Sequence, residues 1–348
     1  MSEIKLYDSQ QDVAAWECAL EVHGDVYFSP KWLDLHLFDQ GARGMLFHYS
    51  EGDNSWLYPF IMRPLPACYG VEAFDIESAY GYGGPVSTID DETFVKTARS
   101  AFETWCKEQK IIAEFCAFHP VLGNERWMQG ELDTFKDRNT VSLSLGVTGD
   151  PGDTYSRDGR YMIRRGLREG LVVQELDIDT HFERFVEMYL NAMKSLGATD
   201  FYSFNETYFK KLKQLVGSHG WLMVASLNDE WAAASIFLHG NEFMHYHLSA
   251  NNFKMKAPGA TNMILDAAAI KGTAMGLKVF HLGGGRTADE KDSLLKFKLS
   301  MGDKVNDFII GKCVHNASIY ERVVEQWKQD HAELEKTHGN RLLKYRLD

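Results

Sequence analysis

The sequence predicts an α/β protein with mixed sheets, arranged as two domains over residues 1–150 and 151–348. Three observations carry this expectation. The chain has 348 residues, and a single hydrophobic core rarely serves more than about 250–300. The stretch LGVTGDPGDTYS at 145–156 is rich in Gly, Pro and Asp and follows the alternating pattern NTVSLSL, so it reads as a connection after a strand. On both sides of it, period-two and period-3.6 apolar patterns occur together.

In the first part, residues 10–22 and 29–39 read as helices. GMLFHY and SWLYPFIMRPLP read as a hairpin, with Pro59 and Pro64 pointing to an edge or a strand end. Residues 91–109 form an amphipathic helix, and IIAEFCAF is a buried strand. In the second part GLVVQEL is a strand, and 179–196 and 205–217 are helices. GWLMVASL, EWAAASIFLHG and EFMHYHLSA make an antiparallel meander joined by NDE and GNE. PGATNMILDAAAIKGTAMG is a helix with Pro258 near its start and Gly276 at its stop. LKVFHL is a strand, a glycine turn and a lysine-bearing helix follow, and VNDFIIGK is a last strand. Three antiparallel strands, a crossover helix, a strand and another helix resemble the core topology of a GNAT acyltransferase.

Composition narrows the function classes. The chain is 45% hydrophobic and 25% charged, as ordinary globular proteins are. No apolar run reaches the roughly 18 residues that span a bilayer, and the start has no basic region followed by an apolar core. The five cysteines are scattered, with no Cys-x-x-Cys pair. They read as reduced thiols of a cytoplasmic protein, without a disulfide framework or a metal site. The net charge is −12, which argues against DNA or general nucleic-acid binding. Residues 1–150 hold 11 Lys and Arg against 24 Asp and Glu, and residues 151–348 hold 26 against 25. The acidic surplus is either a device for solubility or a sign that the second part keeps its cations for an anionic ligand.

Five stretches have the residue types for chemistry. KAPGAT, with Lys256 and Gly259, opens a helix, where backbone N–H groups and the helix dipole suit a pyrophosphate. Plain helix capping explains the same residues. HLGGGRTADEKDSLLKFKLSMG places Gly283, Gly284 and Gly285 between a strand and a helix, where α/β proteins hold ligands. A tight connection would need the same glycines. Lys296 and Lys298 lie two apart, so only one of them can face a site. RDGRYMIRRGLREG crowds Arg157, Arg160, Arg164, Arg165 and Arg168 into twelve residues. Like charges four apart repel on a helix, and arginine forks suit phosphate; a solvated face is the alternative. SAYGYGGPVS sets Tyr80 and Tyr82 among glycines, where their hydroxyls would suit a sugar or peptide, or pack as ordinary loop rings. HYHLSA puts His245 and His247 on one strand face and Tyr246 on the other, as buried neutral rings or as a general base. No nucleophile elbow or Cys-His signature is present.

In order, YGYGGP, IRRGL, YLNAMKSLGATDFYSFNETYF, YHLSA, GLKVFHLGGG and DSLLKFKLSMG resemble the FemABX-like branch of the GNAT superfamily, from about residue 27 to residue 320. The resemblance implies two GNAT-like domains in tandem with a cleft between them, the first on the acceptor side and the second on the donor side. It implies transfer of an acyl or aminoacyl group to an amine by direct attack, with acyl-CoA or aminoacyl-tRNA as co-substrate and no permanently bound cofactor. The expected reaction is N-acyl transfer from acyl-CoA to an amino sugar or a nucleotide-linked surface-polysaccharide or cell-wall precursor. The alternatives are aminoacyl-tRNA-dependent transfer to a peptidoglycan precursor or small amine, and a catalytically silent binding protein. The family's Phe-Lys lysine falls on Lys298, and FSPKWL resembles an acceptor-side motif at Lys31. The resemblance implies Lys298 as catalytic, and the residues offer His247 as a candidate base and Asp292 as a candidate for orienting the lysine. Gly283, Gly284, Gly285, Lys256, Gly259, Arg164 and Arg165 are expected at the donor, and Tyr80, Tyr82, Lys31 and Tyr202 at the acceptor. Two departures stand out. KAPGAT is a degenerate phosphate loop, and there is no long coiled-coil insertion.

Overall fold

The computed structural model describes residues 2–21, 24–128, 130, 132–146, 149–197 and 204–347. They fall into two compact units. One is drawn from Met1–His23, Tyr27–Asp137 and Phe308–Asp348, the other from Gly24–Val26 and Arg138–Asp307.

The first unit begins with β1 (Ser2–Asp8), α1 (Val13–Ala19) and α2 (Pro30–Leu35). Next come β2 (Arg43–Glu51), β3 (Asn54–Pro64), β4 (Phe74–Glu77), β5 (Val86–Ser87), α3 (Glu92–Glu108) and β6 (Ile111–Ala117). Strands β1 to β4 pair antiparallel in order, and β6 returns parallel to β4 after the helix. Phe47, Trp56, Tyr58 and Phe60 pack on Phe102 of α3, with Trp105 beside them. Burying each such ring stabilises by about 1.5–3 kcal/mol.

Strand β3 is interior, contrary to the edge reading of Pro59. Pro59 pairs with Leu46 of β2. On its other side β5 reaches only Leu57 and β4 begins only at Ile61. The proline thus falls in the gap between two short partners, where no N–H is needed. Pro64 ends the strand as its sequence predicts.

The second unit takes up the chain within β7 (Asp133–Ser144). It continues through α4 (Arg157–Arg168), β8 (Val172–Leu176), α5 (Ile178–Ser195), α6 (Glu206–His219), β9 (Gly220–Leu227), β10 (Glu230–His239) and β11 (Phe243–Asn251). Then follow α7 (Ala260–Ala274), β12 (Val279–Gly284) and α8 (Ser293–Leu299). Its strand order is β7-β12-β11-β10-β9-β8, and β11 with β12 is parallel. Both units therefore run through an antiparallel set, a crossover helix and a parallel strand. The β9–β10 turn holds Asn228 at φ 51° and Asp229 at φ 63°, the paired left-handed residues of a tight hairpin. Asp177 and Asn205 cap α5 and α6 through the N–H groups of Thr180 and Tyr208. One sheet face packs α7 and its neighbours around Met263, Ile264, Ala268, Phe280, Leu282 and Leu295. The α5 and α6 rings Phe182, Tyr189 and Phe209 pack together on the other.

The last strand, β13 (Lys304–Val314), carries the chain back into the first unit, where it pairs antiparallel with β6. Helices α9 (Ala317–Asp330) and α10 (Ala332–His338) follow. Trp327 and Val323 pack with Tyr345, Tyr69 and Leu65, and buried Asp75 accepts hydrogen bonds from the Tyr345 hydroxyl and Arg346 Nε.

Candidate active site

Strands β11 and β12 pair in parallel at three positions, ending with His245 opposite His281. Beyond that point β11 follows β10 and β12 follows β7, so the two limbs part and a fork opens between them. A bulge bends the β11 limb. Ile236 pairs with Leu248 while Phe237 pairs with Tyr246, which leaves His247 as the extra residue. The β12 limb carries its own irregularity, with Gly283 at φ +80°, a conformation glycine adopts without strain.

Lys298 bridges the fork. Its Nζ donates to the Gly284 carbonyl on the β12 limb at 2.8 Å. The same Nζ lies 5.9 Å from the Tyr246 ring centroid on the β11 limb. The side chain is only 8% exposed, and burial lowers its pKa to about 7 against a weaker upward pull from Asp292. The amine thus exchanges a proton near neutral pH. Lys296 on the same helix is exposed. Burial also pushes the Tyr246 phenol up, with the Ser249 and Ser235 hydroxyls drawing it back.

Asp292 is the N-cap of α8. Its Oδ1 accepts from Leu294 and Leu295 N–H at 2.8 and 3.0 Å, and its Oδ2 accepts from the Thr287 hydroxyl. These backbone bonds, Leu295 foremost, hold its carboxyl below the usual range. Arg138 braces the glycine turn from β7 by donating to the carbonyls of Gly285 and Arg286.

The opposite face of the fork carries imidazoles. His245 Nε2 donates to Asp25 Oδ2 at 2.8 Å, with both side chains buried. Its ring lies edge-on to His281, with centroids 5.8 Å apart. Since the carboxylate only accepts, neutral His245 keeps its proton on Nε2 and its lone pair on Nδ1. His247 shares a 3.1 Å hydrogen bond with the Tyr208 hydroxyl of α6.

Residues 157–292 match the family described as Acetyltransferase (GNAT) domain. The matched stretch lies within the second unit, and the match supports an acyltransferase. Over the whole chain the fold resembles FemX, with TM-score 0.71 at 12% identity, covering 92% of this chain and 99% of that one. It also resembles L-PGS from Bacillus licheniformis, with TM-score 0.55 at 13% identity over 86% and 90%. A tandem GNAT protein from the clavulanic acid biosynthesis pathway gives TM-score 0.50 at 9% identity over 91% and 99%. No curated protein matches the chain in sequence. The chain thus shares the fold of FemX over most of its length, and no helix among the described residues is long and apolar enough to cross a membrane.

Within the matched stretch, Gly259 is the N-cap of α7 at φ +87°. A side chain there would collide with the Met162 carbonyl of α4. Its freedom therefore serves a close approach of α4 to the start of α7. Lys256 is exposed. Arg165 pairs with Glu169 at 3.0 Å, and Arg164 is exposed.

In the first unit, the Tyr80 carbonyl accepts from Trp32 Nε1 at 3.1 Å and its ring stacks on His36. Tyr82 meets Tyr27 and Phe308 edge-on. Buried Asn124 pins the loop by donating to the carbonyls of Gly83 and Pro85. Lys31 is exposed in the first turn of α2. Tyr202 lies outside the described residues. Sequence reasoning missed Asp25, which lies 220 positions from His245 and has no local pattern that would pair the two. It also missed the Gly284 carbonyl, because no side chain marks it.

Proposed function

We propose that the chain transfers an acyl group to an amine by direct attack at the fork between β11 and β12. The observation that carries this is Lys298, a buried amine with a pKa near neutrality that spans both limbs. The donor carbonyl lies against the turn at Gly283, Gly284 and Gly285, on the Lys298 side. The acceptor amine comes from the imidazole side. Its nitrogen bonds to the carbonyl carbon while the π pair moves to oxygen, where the Lys298 ammonium stabilises it. The amine proton passes to His247. The oxyanion then collapses and expels the leaving group, which takes a proton from Lys298. Asp292 fixes the start of α8 and so the position of the lysine. Holding both partners in line contributes several kcal/mol of the barrier reduction, up to about 7–11.

The donor proposed first is acyl-CoA, with the amine of an amino sugar or a related surface-polysaccharide or cell-wall precursor as acceptor. The acetyltransferase description of the matching family supports it. One observation favours a second reading, aminoacyl-tRNA. The α4 backbone lies against Gly259, at the helix start where a CoA pyrophosphate would need open N–H groups. Calorimetry with acetyl-CoA, and separately with charged tRNA, decides between them. Micromolar CoA binding lost in Lys298→Ala supports the first, and binding of charged tRNA alone replaces it with the second. Binding of neither, together with no transfer to any amine, overturns the transferase proposal.

A further inference from the structure

Helix α4 packs through one face and leaves the other uncovered. Gly159 and Gly166 are buried against α8, α7 and Leu171. The outward face is formed by Arg157, Tyr161, Arg164, Leu167 and Arg168, all exposed. At 100° per residue the three arginines fall within about 40° of one another, with Tyr161 just beyond them on one side and Leu167 on the other. Among the described residues, the side chains of Arg157, Arg164 and Arg168 have no hydrogen bond or ion pair. Tyr161 is 48% exposed and Leu167 59%.

We propose that this face is a docking surface for an anionic phospholipid bilayer. A stripe of like charges on one helix is unfavourable in the isolated chain and becomes favourable against a surface of opposite sign. The chain as a whole carries −12, so the attraction is confined to this face and is sensitive to salt. The apolar side chains decide between lipid and a polyphosphate strand. Leu167 gains little from a phosphate backbone, whereas beside arginines at a headgroup layer it reaches the acyl boundary. Tyr161 likewise favours that interface. The inference does not rest on the transferase proposal, because it concerns a surface and not the fork.

The test is co-sedimentation of the full chain with phosphatidylcholine vesicles, with and without phosphatidylglycerol, at low and high salt. The expected result is sedimentation that needs phosphatidylglycerol and weakens with salt. The triple variant Arg157→Gln, Arg164→Gln, Arg168→Gln should lose at least about tenfold in partitioning. The pair Tyr161→Ser, Leu167→Ser should lose several-fold with its charge intact. Leu167→Ser alone, at an exposed position, repeats the apolar test with the least disturbance to folding. Failure of the wild type to prefer phosphatidylglycerol overturns the proposal. So does unchanged partitioning in the arginine or the apolar variants. Arginine-dependent binding of bulk tRNA without vesicle binding overturns it as well and assigns the face to RNA.

Discussion

Lys298 donates to the carbonyl of Gly284 at 2.8 Å across the mouth of the β11–β12 fork. The bond joins a helix to the limb of a strand that has left its parallel partner. For catalysis, Lys298→Met is expected to lower kcat by about 100- to 1,000-fold with a smaller change in KM. The wild-type rate should show an ionisation near pH 7 that the variant lacks. Steady-state kinetics from pH 5.5 to 9 reads both.

The same lysine opposes stability. Its folded pKa of about 7 lies below the ordinary 10.5, so between these values the unfolded chain binds more protons. This contribution to stability therefore rises with pH across that window and is lowest below its lower end. Lys298→Met should raise the Tm at pH 6, and the gain should shrink as the pH approaches 10. Paired melting curves across the range test this. A gain independent of pH would refute the assignment.

Glu114 behaves in the opposite sense. Burial alone would raise its pKa, but bidentate Arg99 at 2.8 Å and His315 at 2.9 Å bring it down to about 2. Its stabilising effect is complete above the usual 4.5 and is lost as pH falls toward 2. Glu114→Gln removes the bidentate partner of buried Arg99 and leaves it the Glu103 carboxylate, and should destabilise by about 3 kcal/mol at pH 7. The difference from wild type should fade in acid denaturation below pH 3.

Asp25→Asn replaces the carboxylate that accepts the buried His245 hydrogen bond and is expected to destabilise by about 1–3 kcal/mol. The amide permits the other His245 tautomer, which nitrogen-detected NMR of the imidazole distinguishes. Retention of the Nε2-protonated form in the variant would show that the carboxylate does not set it.

Gly259→Ala combines a left-handed backbone with a collision against the Met162 carbonyl. Strain of this kind is worth about 1–3 kcal/mol, so denaturant unfolding should shift by that amount. Lys256→Ala, three residues earlier and exposed, should leave the midpoint unchanged within about 0.5 kcal/mol.

The second unit was largely legible in the sequence. The turn at Asn228 and Asp229, the cap at Asn205 and the stop at Gly276 are local signals, and periodicity set the strands between them. Lys298 was separable from Lys296 by the family resemblance, and helix periodicity showed that only one of the two could be buried. What escaped depends on distant partners. β1 is exposed along most of its length and β4 is short, and their assignment needs β2 and β6 beside them. Pro59 looked like an edge because the gap between β4 and β5 is set by where two other strands stop. The fork itself could not be read, since nothing local tells a strand where its neighbour will leave it.

The first unit contains both the start and the finish of the chain. The β13 side of β6 cannot pair at Ala113 until Val314 has been made, about two hundred residues later. At roughly 5–20 residues per second of synthesis, the nascent first unit waits on the ribosome for some ten seconds or more with that flank uncovered. Residues 138–307 of the second unit emerge in the interval. A stop anywhere in that stretch would release a chain with an open sheet margin and no Trp327 to cover Ile112, so truncation products should be targets for chaperones and proteases rather than half-enzymes.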